Sequence, residues 1–140
     1  MTTAPYPVLR LKPKSGARAI RHGFPWVYNN ELVLDRRARK IAPGALAVLE
    51  DENRRPLGLI AVNLASKISG RVLDANPDAT LDAEWCADRL GRALALRNMV
   101  FDAPYYRLVH AEADGMPGVI IDRFGETAVV QPNAAWAEML

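Results

Sequence analysis

Cysteine, histidine and long apolar runs are all scarce in this chain of 140 residues. The single cysteine, Cys86, excludes an internal disulfide and a cysteine-cluster metal site. The two histidines, His22 and His110, each lie apart from any other ligand at metal-binding spacing. No apolar segment approaches the ~20 residues of a membrane span, and residues 1–11 lack the apolar core of a signal peptide. We therefore expect a cytoplasmic protein with no membrane partner and no bound metal.

Groups suited to catalysis are also few. No glycine-rich phosphate loop follows a strand and opens a helix. Cys86 is expected on the apolar side of a helix, where a thiol acts as a small hydrophobe. Glu112 and Asp114 could form a carboxylate pair, but they flank a glycine-proline turn, where we expect acids to be solvated. The sequence therefore predicts that these 140 residues alone catalyse nothing.

Charge is divided unevenly along the chain. Residues 1–75 hold thirteen Lys and Arg against six Asp and Glu, a formal charge of +7, whereas residues 76–140 come to −5. Such a division indicates two modules with different partners. A basic module is the electrostatic footprint of a nucleic-acid binder. Undirected drift of surface charge explains the split equally well, so charge alone leaves the question open.

The basic half contains several short strands separated by turns. Strands are predicted at residues 8–11, 26–28, 45–50, 57–63 and 68–73, with one helical turn at 17–21 capped by Gly23. Strands at spacings of about ten residues are typical of a small barrel or sandwich. The polar, proline-containing segment 74–78 marks the boundary of this module.

The acidic half has a different pattern. A helix capped by Thr80 or Asp82 is predicted to run to about Asn98. Its apolar face is expected to contain Cys86, Leu90, Ala93 and Leu94. A strand at 105–111 and a hairpin of strands 119–122 and 127–131 follow, and residues 133–140 are predicted to begin another helix. That unfinished helix indicates a piece of a longer protein. The predicted class is α+β, divided into residues 1–75, 76–131 and 132–140.

Cations and aromatic residues alternate in the basic half, a pattern that binds phosphates and stacks bases. The candidate contacts are Arg18, Arg21, Trp26, Tyr28, Lys67 and Arg71. We favour RNA contact for the arginines. For Trp26 we favour packing in the core, because a tryptophan beside a proline is usually packed. The basic run at residues 36–40 is equally compatible with a solvated loop.

Three segments together resemble a known family. Residues 106–125 read YRLVHAEADGMPGVIIDRFG, close to the pattern Y-R-L-x-x-x-E-x-D-G-(L/M)-P-G-x-x-(I/V)-D-R-(Y/F)-G. Residues 25–28 with Glu31 resemble an H-P-W-V-(F/Y) element, with Phe24 in the place of the histidine. Residues 63–73 resemble N-P-x-S-x-I-x-x-R-(V/L)-L, with Leu64 replacing the proline. These motifs are those of bacterial S-adenosylmethionine-dependent methyltransferases that make 5-methylcytosine in 23S ribosomal RNA.

The resemblance carries several expectations. It implies a small PUA-type β-barrel over residues 1–75, which binds ribosomal RNA, and then a central α/β domain built of a helix and a β-hairpin. A Rossmann-like catalytic domain, with its cysteine nucleophile, is missing from this chain. Asn63 and Ser66 join the predicted RNA contacts. S-adenosylmethionine is the implied cofactor of the intact enzyme, with none bound by these residues.

In the intact enzyme a thiolate would attack cytosine C6, with methyl transfer to the adjacent carbon, on a base that has left the stack. The resemblance also leaves the oligomeric state open, and a homodimer is possible. Two alternatives of other classes stay open: a stand-alone RNA-binding adaptor, and a scaffold module whose basic half is merely solvated.

Overall fold

A computed structural model describes residues 6–139, and these form two compact units that divide between Ala79 and Thr80. Each unit has a sheet of its own, five-stranded in the first and three-stranded in the second. The predicted α+β class is therefore confirmed.

The first unit contains five strands, one short helix and two single 3-10 turns. They are β1 (Val8–Arg10), α1 (Ala17–Arg21), β2 (Trp26–Tyr28), the turns Asn29–Glu31 and Ala38–Lys40, β3 (Leu46–Glu50), β4 (Pro56–Val62) and β5 (Ile68–Asp74). The strand order is β1-β3-β4-β5-β2. The pair β1–β3 is parallel and the other pairs are antiparallel. A bridge between Leu11 and Leu32 joins the end of β1 to the segment after β2, so the sheet curls into a half-barrel.

Apolar side chains on the inner face of this curl form the core of the first unit. The members include Leu9, Leu11, Ile20, Val27, Leu32, Leu49, Ile60 and Val62. Helix α1 contributes the buried Ile20 to this core, and the partly buried Ala17 packs against it. The basic residues of α1 therefore stay at the surface.

The second unit places one long helix beside an antiparallel sheet of order β6-β7-β8. Its elements are α2 (Ala83–Val100), β6 (Tyr105–His110), the 3-10 turn Ala111–Asp114, β7 (Val119–Phe124), β8 (Thr127–Pro132) and a last 3-10 turn, Ala137–Met139. Asp82 caps α2 by accepting a hydrogen bond from the Trp85 N–H at 2.8 Å. Trp85 packs edge-to-face on Trp136, with ring centroids 6.1 Å apart.

The predicted apolar face of α2 was partly wrong. Trp85 and Ala93 are the buried residues of the helix, whereas Leu94 is 36% exposed. Cys86 and Leu90 are half-buried. A helix that packs on a single small sheet buries only a narrow stripe of its surface. The three-and-four spacing therefore predicted a wider apolar face than the one that is buried.

Residues 133–139 also differ from the expected start of an α-helix. They contain turns and the single 3-10 turn, because their groups bind back to the preceding segment. The Asn133 N–H donates to the Gly118 carbonyl at 2.8 Å, and the Trp136 indole donates to the Pro117 carbonyl at 2.8 Å. The last residue of that prediction, Leu140, lies outside the described residues.

Candidate functional site

The residues predicted to contact RNA all lie in the first unit, where the structure separates them into two groups. Arg18 and Arg21 lie on α1. The other six lie on the paired strands β2 and β5 or in the loop before β5, and they are Trp26, Tyr28, Asn63, Ser66, Lys67 and Arg71.

Aromatic residues and a cation lie on the strand pair β2–β5. Trp26 is directly opposite Arg71 in the strand register. Phe24 packs on Trp26 at 6.2 Å and on Tyr28 at 6.3 Å between ring centroids. Trp26 is half-buried, and Phe24 and Tyr28 are more than a third exposed. Within residues 6–139 the buried indole N–H of Trp26 has no hydrogen-bond partner. Phe24 was not among the predicted RNA contacts, although its place before Pro25 was a signal.

The loop from Asn63 to Ser69 is held by its own polar groups. The Asn63 side chain accepts a hydrogen bond from the Ala65 N–H at 3.2 Å, and the Ser69 hydroxyl donates to the Ser66 carbonyl at 2.8 Å. Asn29 donates its side-chain amide to the Ser69 hydroxyl at 3.0 Å. The Asn63 side chain thus shapes the loop, whose exposed cation is Lys67. Contact of these residues with RNA stays a prediction.

A cleft of about 250 Å³ lies between α1, the loop before it and the β3–β4 turn. Five cations line it, and we call it the basic cleft: Lys12, Lys14, Arg18, Arg21 and Arg55. Three of these were not among the predicted contacts, since the cleft joins segments that are far apart in the sequence. Their only signal was the excess of positive charge.

Asp51 organises the wall of the basic cleft. Its side chain is almost fully buried, pairs with the Arg21 guanidinium, and accepts the Asn53 and Arg55 N–H groups at 2.8 and 2.9 Å. The Arg55 N–H, with help from Arg21 and the Asn53 N–H, outweighs burial and lowers the pKa of the Asp51 carboxyl. Asp51 is therefore ionised at neutral pH and holds Arg21 in place.

Most cations of the first unit are not used to hold the fold. Three of the thirteen interact through their side chains, namely Arg10 with Glu50, Arg21 with Asp51 and Arg39 with a carbonyl, and Arg71 also has an interaction partner. Among residues 6–139, no hydrogen bond or ion pair is made by the charged groups of the other nine, which are Lys12, Lys14, Arg18, Arg36, Arg37, Lys40, Arg54, Arg55 and Lys67. These charges remain available to a partner.

The arginines of the second unit, by contrast, are all engaged. Arg107 and Asp122 face each other across β6 and β7 and form a two-pronged pair at 2.9 and 3.2 Å. In the next register position, Arg123 donates to the Tyr106 hydroxyl at 2.7 Å. The YR and DR dipeptides of the 106–125 motif are therefore cross-strand partners. Arg107 also lowers the pKa of the Asp122 carboxyl by its hydrogen bond.

The turn in the same motif is packed and internally bonded. Asp114 forms two hydrogen bonds with Arg97, at 2.7 and 3.1 Å, and also accepts the His110 N–H at 2.7 Å. Glu112 accepts the Gly118 N–H at 2.7 Å. The expectation that these two acids are solvated was wrong: the Asp114 side chain is 7% exposed. Gly118 has φ of 76°, and a Cβ there would lie 2.5 Å from the Ala134 Cβ.

The remaining arginines of this unit lie on α2. Arg92 pairs with Asp88 one turn away. Arg89 lies over the Trp85 ring at 4.5 Å and donates to the Gly115 carbonyl at 3.2 Å. The positive charges of the second unit therefore hold its helix and turns in place.

Cys86 is not a reactive thiol. Burial, followed by the negative charge of Asp82, raises the pKa of its side chain, so it stays protonated at neutral pH. Across residues 6–139 there is no group of three or more side chains suited to hold a metal ion. The helices of the described part are all too short or too polar to cross a membrane.

With this geometry in view, comparison with known proteins assigns the class of the first unit. Residues 9–75 match the family model of the PUA-like domain. The first unit is therefore a PUA-like domain.

The chain as a whole is homologous to large-subunit ribosomal RNA methyltransferases. It is 36% identical over 139 residues to the ribosomal RNA large subunit methyltransferase of Deinococcus radiodurans, covering 93% of this chain and 34% of that protein. It is 34% identical over 128 residues to the ribosomal RNA large subunit methyltransferase I of Cronobacter sakazakii, covering 89% and 32%. The chain thus spans about a third of the length of these curated relatives.

Two solved structures share the fold. One is a putative SAM-dependent methyltransferase from Streptococcus mutans, with a TM-score of 0.76 and 14% identity, over 95% of this chain and 34% of that one. The other is a putative methyltransferase complexed with SAH, with a TM-score of 0.74 and 13% identity, over 96% and 34%. At these identities the likeness concerns the fold alone.

Proposed function

We propose that this chain is the RNA-recognition portion of an S-adenosylmethionine-dependent methyltransferase that makes 5-methylcytosine in 23S ribosomal RNA. In this proposal the first unit binds RNA through the eight predicted contacts. The second unit sets the distance and orientation between the bound RNA and a catalytic domain. Residues 6–139 themselves carry out no chemical step.

One observation carries the RNA-binding part of the proposal. The nine unpartnered cations of the described chain all lie in the PUA-like unit, where exposed aromatic residues accompany them. An array of free cations beside stacking surfaces is the arrangement that single-stranded RNA requires. The methyltransferase part rests on the relatives, whose names state activity on large-subunit ribosomal RNA.

Nucleotide cofactors are commonly held by a glycine-rich loop that opens a helix. Residues 75–82, which precede the long helix α2, contain no glycine and do not fit that role. In this proposal S-adenosylmethionine is therefore bound by the catalytic domain of the intact enzyme.

A methyl-transfer assay tests the catalytic part. Labelled S-adenosylmethionine and ribosomal RNA lacking the modification are incubated with this chain, and in parallel with the product of its full open reading frame. We expect label to enter RNA only with the longer product, at cytosine C5. If neither product transfers label while this chain still binds RNA, the stand-alone adaptor replaces the enzyme.

The salt dependence of RNA binding tests the recognition part. Each released phosphate counterion adds to the slope of log affinity against log salt, so phosphate contacts give a steep slope. We expect such a slope for this chain. A flat slope would favour the scaffold module and contradict RNA recognition.

A further inference from the structure

The basic cleft has features beyond the general positive charge of the first unit. Three segments border it and place its five exposed cations around one open volume of about 250 Å³. Pockets for drug-sized ligands usually hold ~300–1,000 Å³. The basic cleft is therefore suited to a small charged group better than to a whole nucleoside.

The charge balance of the cleft is unfavourable without a ligand. Its five cations face two carboxylates, Asp51 and Glu52, and Asp51 is already used by Arg21. The four other cations have no ion pair within residues 6–139. Like charges held close together repel one another. An anion bound in the cleft would remove this repulsion and gain charge-assisted hydrogen bonds.

Two cations, one lining the basic cleft and one next to a lining residue, have a strained backbone conformation. Lys14 has φ of 60°, and Arg54, the neighbour of Arg55, has φ of 62°. Glycine or asparagine adopts this left-handed conformation more cheaply, by about 1 kcal/mol or more. A cation nevertheless occupies each position, one lining the cleft and one in the turn that forms its wall.

We propose that the basic cleft binds one phosphate group of an RNA chain. This inference rests on the proposed function and deepens it by assigning the phosphate contact to a particular place. Lys12, Lys14, Arg18 and Arg55 supply the charge. Arg21 is a positioning residue, because Asp51 fixes its guanidinium against the wall. The phosphate is either an internal phosphodiester or a terminal phosphomonoester.

Two double variants of equal charge change test the assignment. Arg18→Gln with Arg55→Gln removes two exposed cations of the cleft, and Arg36→Gln with Lys40→Gln removes two exposed cations elsewhere in the same unit. We expect the cleft variant to bind a short single-stranded RNA about tenfold more weakly and to flatten the salt slope by about two. The control variant lowers only the general positive charge of the unit, so it should weaken binding several-fold less than the cleft variant and flatten the salt slope less. Thermal unfolding verifies that both variants are folded.

A second measurement uses inorganic phosphate. In amide NMR spectra of the chain, we expect phosphate to shift the resonances of Ser15 and Asn53, and to leave them unshifted in the cleft variant. RNA with a 5′-phosphate and RNA with a 5′-hydroxyl then identify the source. Equal affinities assign an internal phosphodiester, and a preference for the 5′-phosphate assigns a terminal one.

The outcomes separate the two proposals. Equal loss of RNA affinity in both double variants, or no loss in either, overturns the cleft assignment but leaves RNA recognition standing. Absence of RNA binding, with phosphate still shifting the cleft resonances, overturns RNA recognition and retains the phosphate site. If neither RNA nor phosphate affects the cleft residues, the inference is wrong.

Discussion

The two units of this chain use positive charge in opposite ways. In the PUA-like unit, nine of thirteen cations have no side-chain partner among residues 6–139. In the second unit, all five arginines are engaged with carboxylates, carbonyls or aromatic rings. Both units rely on apolar packing for their cores. They differ in whether the cations at their surface have partners within the described residues.

This difference explains why sequence motifs and candidate function fall in separate places. A charge that is already paired stabilises the fold and is costly to redirect to a ligand. A charge that is solvated can be transferred to a phosphate at little cost. The conspicuous 106–125 motif thus makes structural contacts, whereas the binding that we propose is assigned to the less patterned basic unit.

The largest expected effect comes from breaking the most buried pair of the second unit. Asp114→Ala removes the acceptor of the two Nη groups of Arg97, a side chain that is 15% exposed, and of the His110 N–H. We expect the free energy of unfolding to fall by about 3 kcal/mol, measured by urea denaturation with tryptophan fluorescence. The matched control is Asp102→Ala, at an exposed acid, with an expected change of at most about 0.5 kcal/mol. Similar losses in both variants would contradict the structural role of the pair.

The next largest effect is on the stability of the same unit, where alanine at two different glycines should act in opposite directions. Gly118→Ala places a Cβ against Ala134 at a positive φ and should cost about 2 kcal/mol of stability. Gly91→Ala lies on α2 with nothing near the new methyl, and should gain about 0.5–1 kcal/mol because alanine favours a helix. The two melting temperatures should move apart. A rise of both melting temperatures would show that the turn is not tightly packed, and a fall of both would contradict only the prediction for Gly91.

A smaller effect is expected on RNA affinity, and it should be confined to the first unit. Arg18→Ala and Lys67→Ala, at exposed cations with no side-chain partner among residues 6–139, should each weaken binding by about 1 kcal/mol, roughly fivefold, and flatten the salt slope by about one. Arg92→Ala, at an exposed but paired arginine of α2, should leave both quantities unchanged. Fluorescence anisotropy at several salt concentrations measures them. Equal effects at all three positions would remove the contrast between the units.

The smallest effect is a pH dependence of stability carried by Asp51. Its pKa is lowered from 3.8 in the folded chain, so the folded state binds fewer protons than the unfolded state in acid. The stability it contributes is present above the ordinary pKa and is lost as pH falls below 3.8 towards the folded value. We expect the difference in unfolding free energy between wild type and Asp51→Asn to be constant above about pH 5 and to shrink in acid. A difference that does not vary with pH would contradict this.

Much of the fold could be predicted from local pattern. The strand near Val8, the helical turn at Ala17–Arg21 and the long helix after Asp82 all follow from turn residues, caps and apolar spacing. The 3-10 turns and the parallel β1–β3 pair could not be predicted. A parallel pairing depends on which distant segments meet, and no local spacing encodes that.

The candidate site was predictable in composition but not in arrangement. Arg18 and Arg21 were identified as a pair on α1, and the structure places them in the basic cleft with Lys12, Lys14 and Arg55. The role of Asp51 was not predictable, because its partner Arg21 precedes it by 30 residues. Asn63 was predicted as an RNA contact, but its hydrogen bond to the Ala65 N–H also gives it a task inside the loop.

The sequence by itself determined the α+β class, most element positions and the division of charge between the two halves. Only the tertiary structure decided which charges are paired and which are free. The physical reason is range: secondary structure follows from neighbours a few residues apart, whereas an ion pair forms only where the fold brings two charges within about 4 Å. Arg107 pairs with Asp122 across a hairpin. Among the described residues, Asp51 is the one carboxylate that pairs with a cation of the basic cleft, and that cation is Arg21.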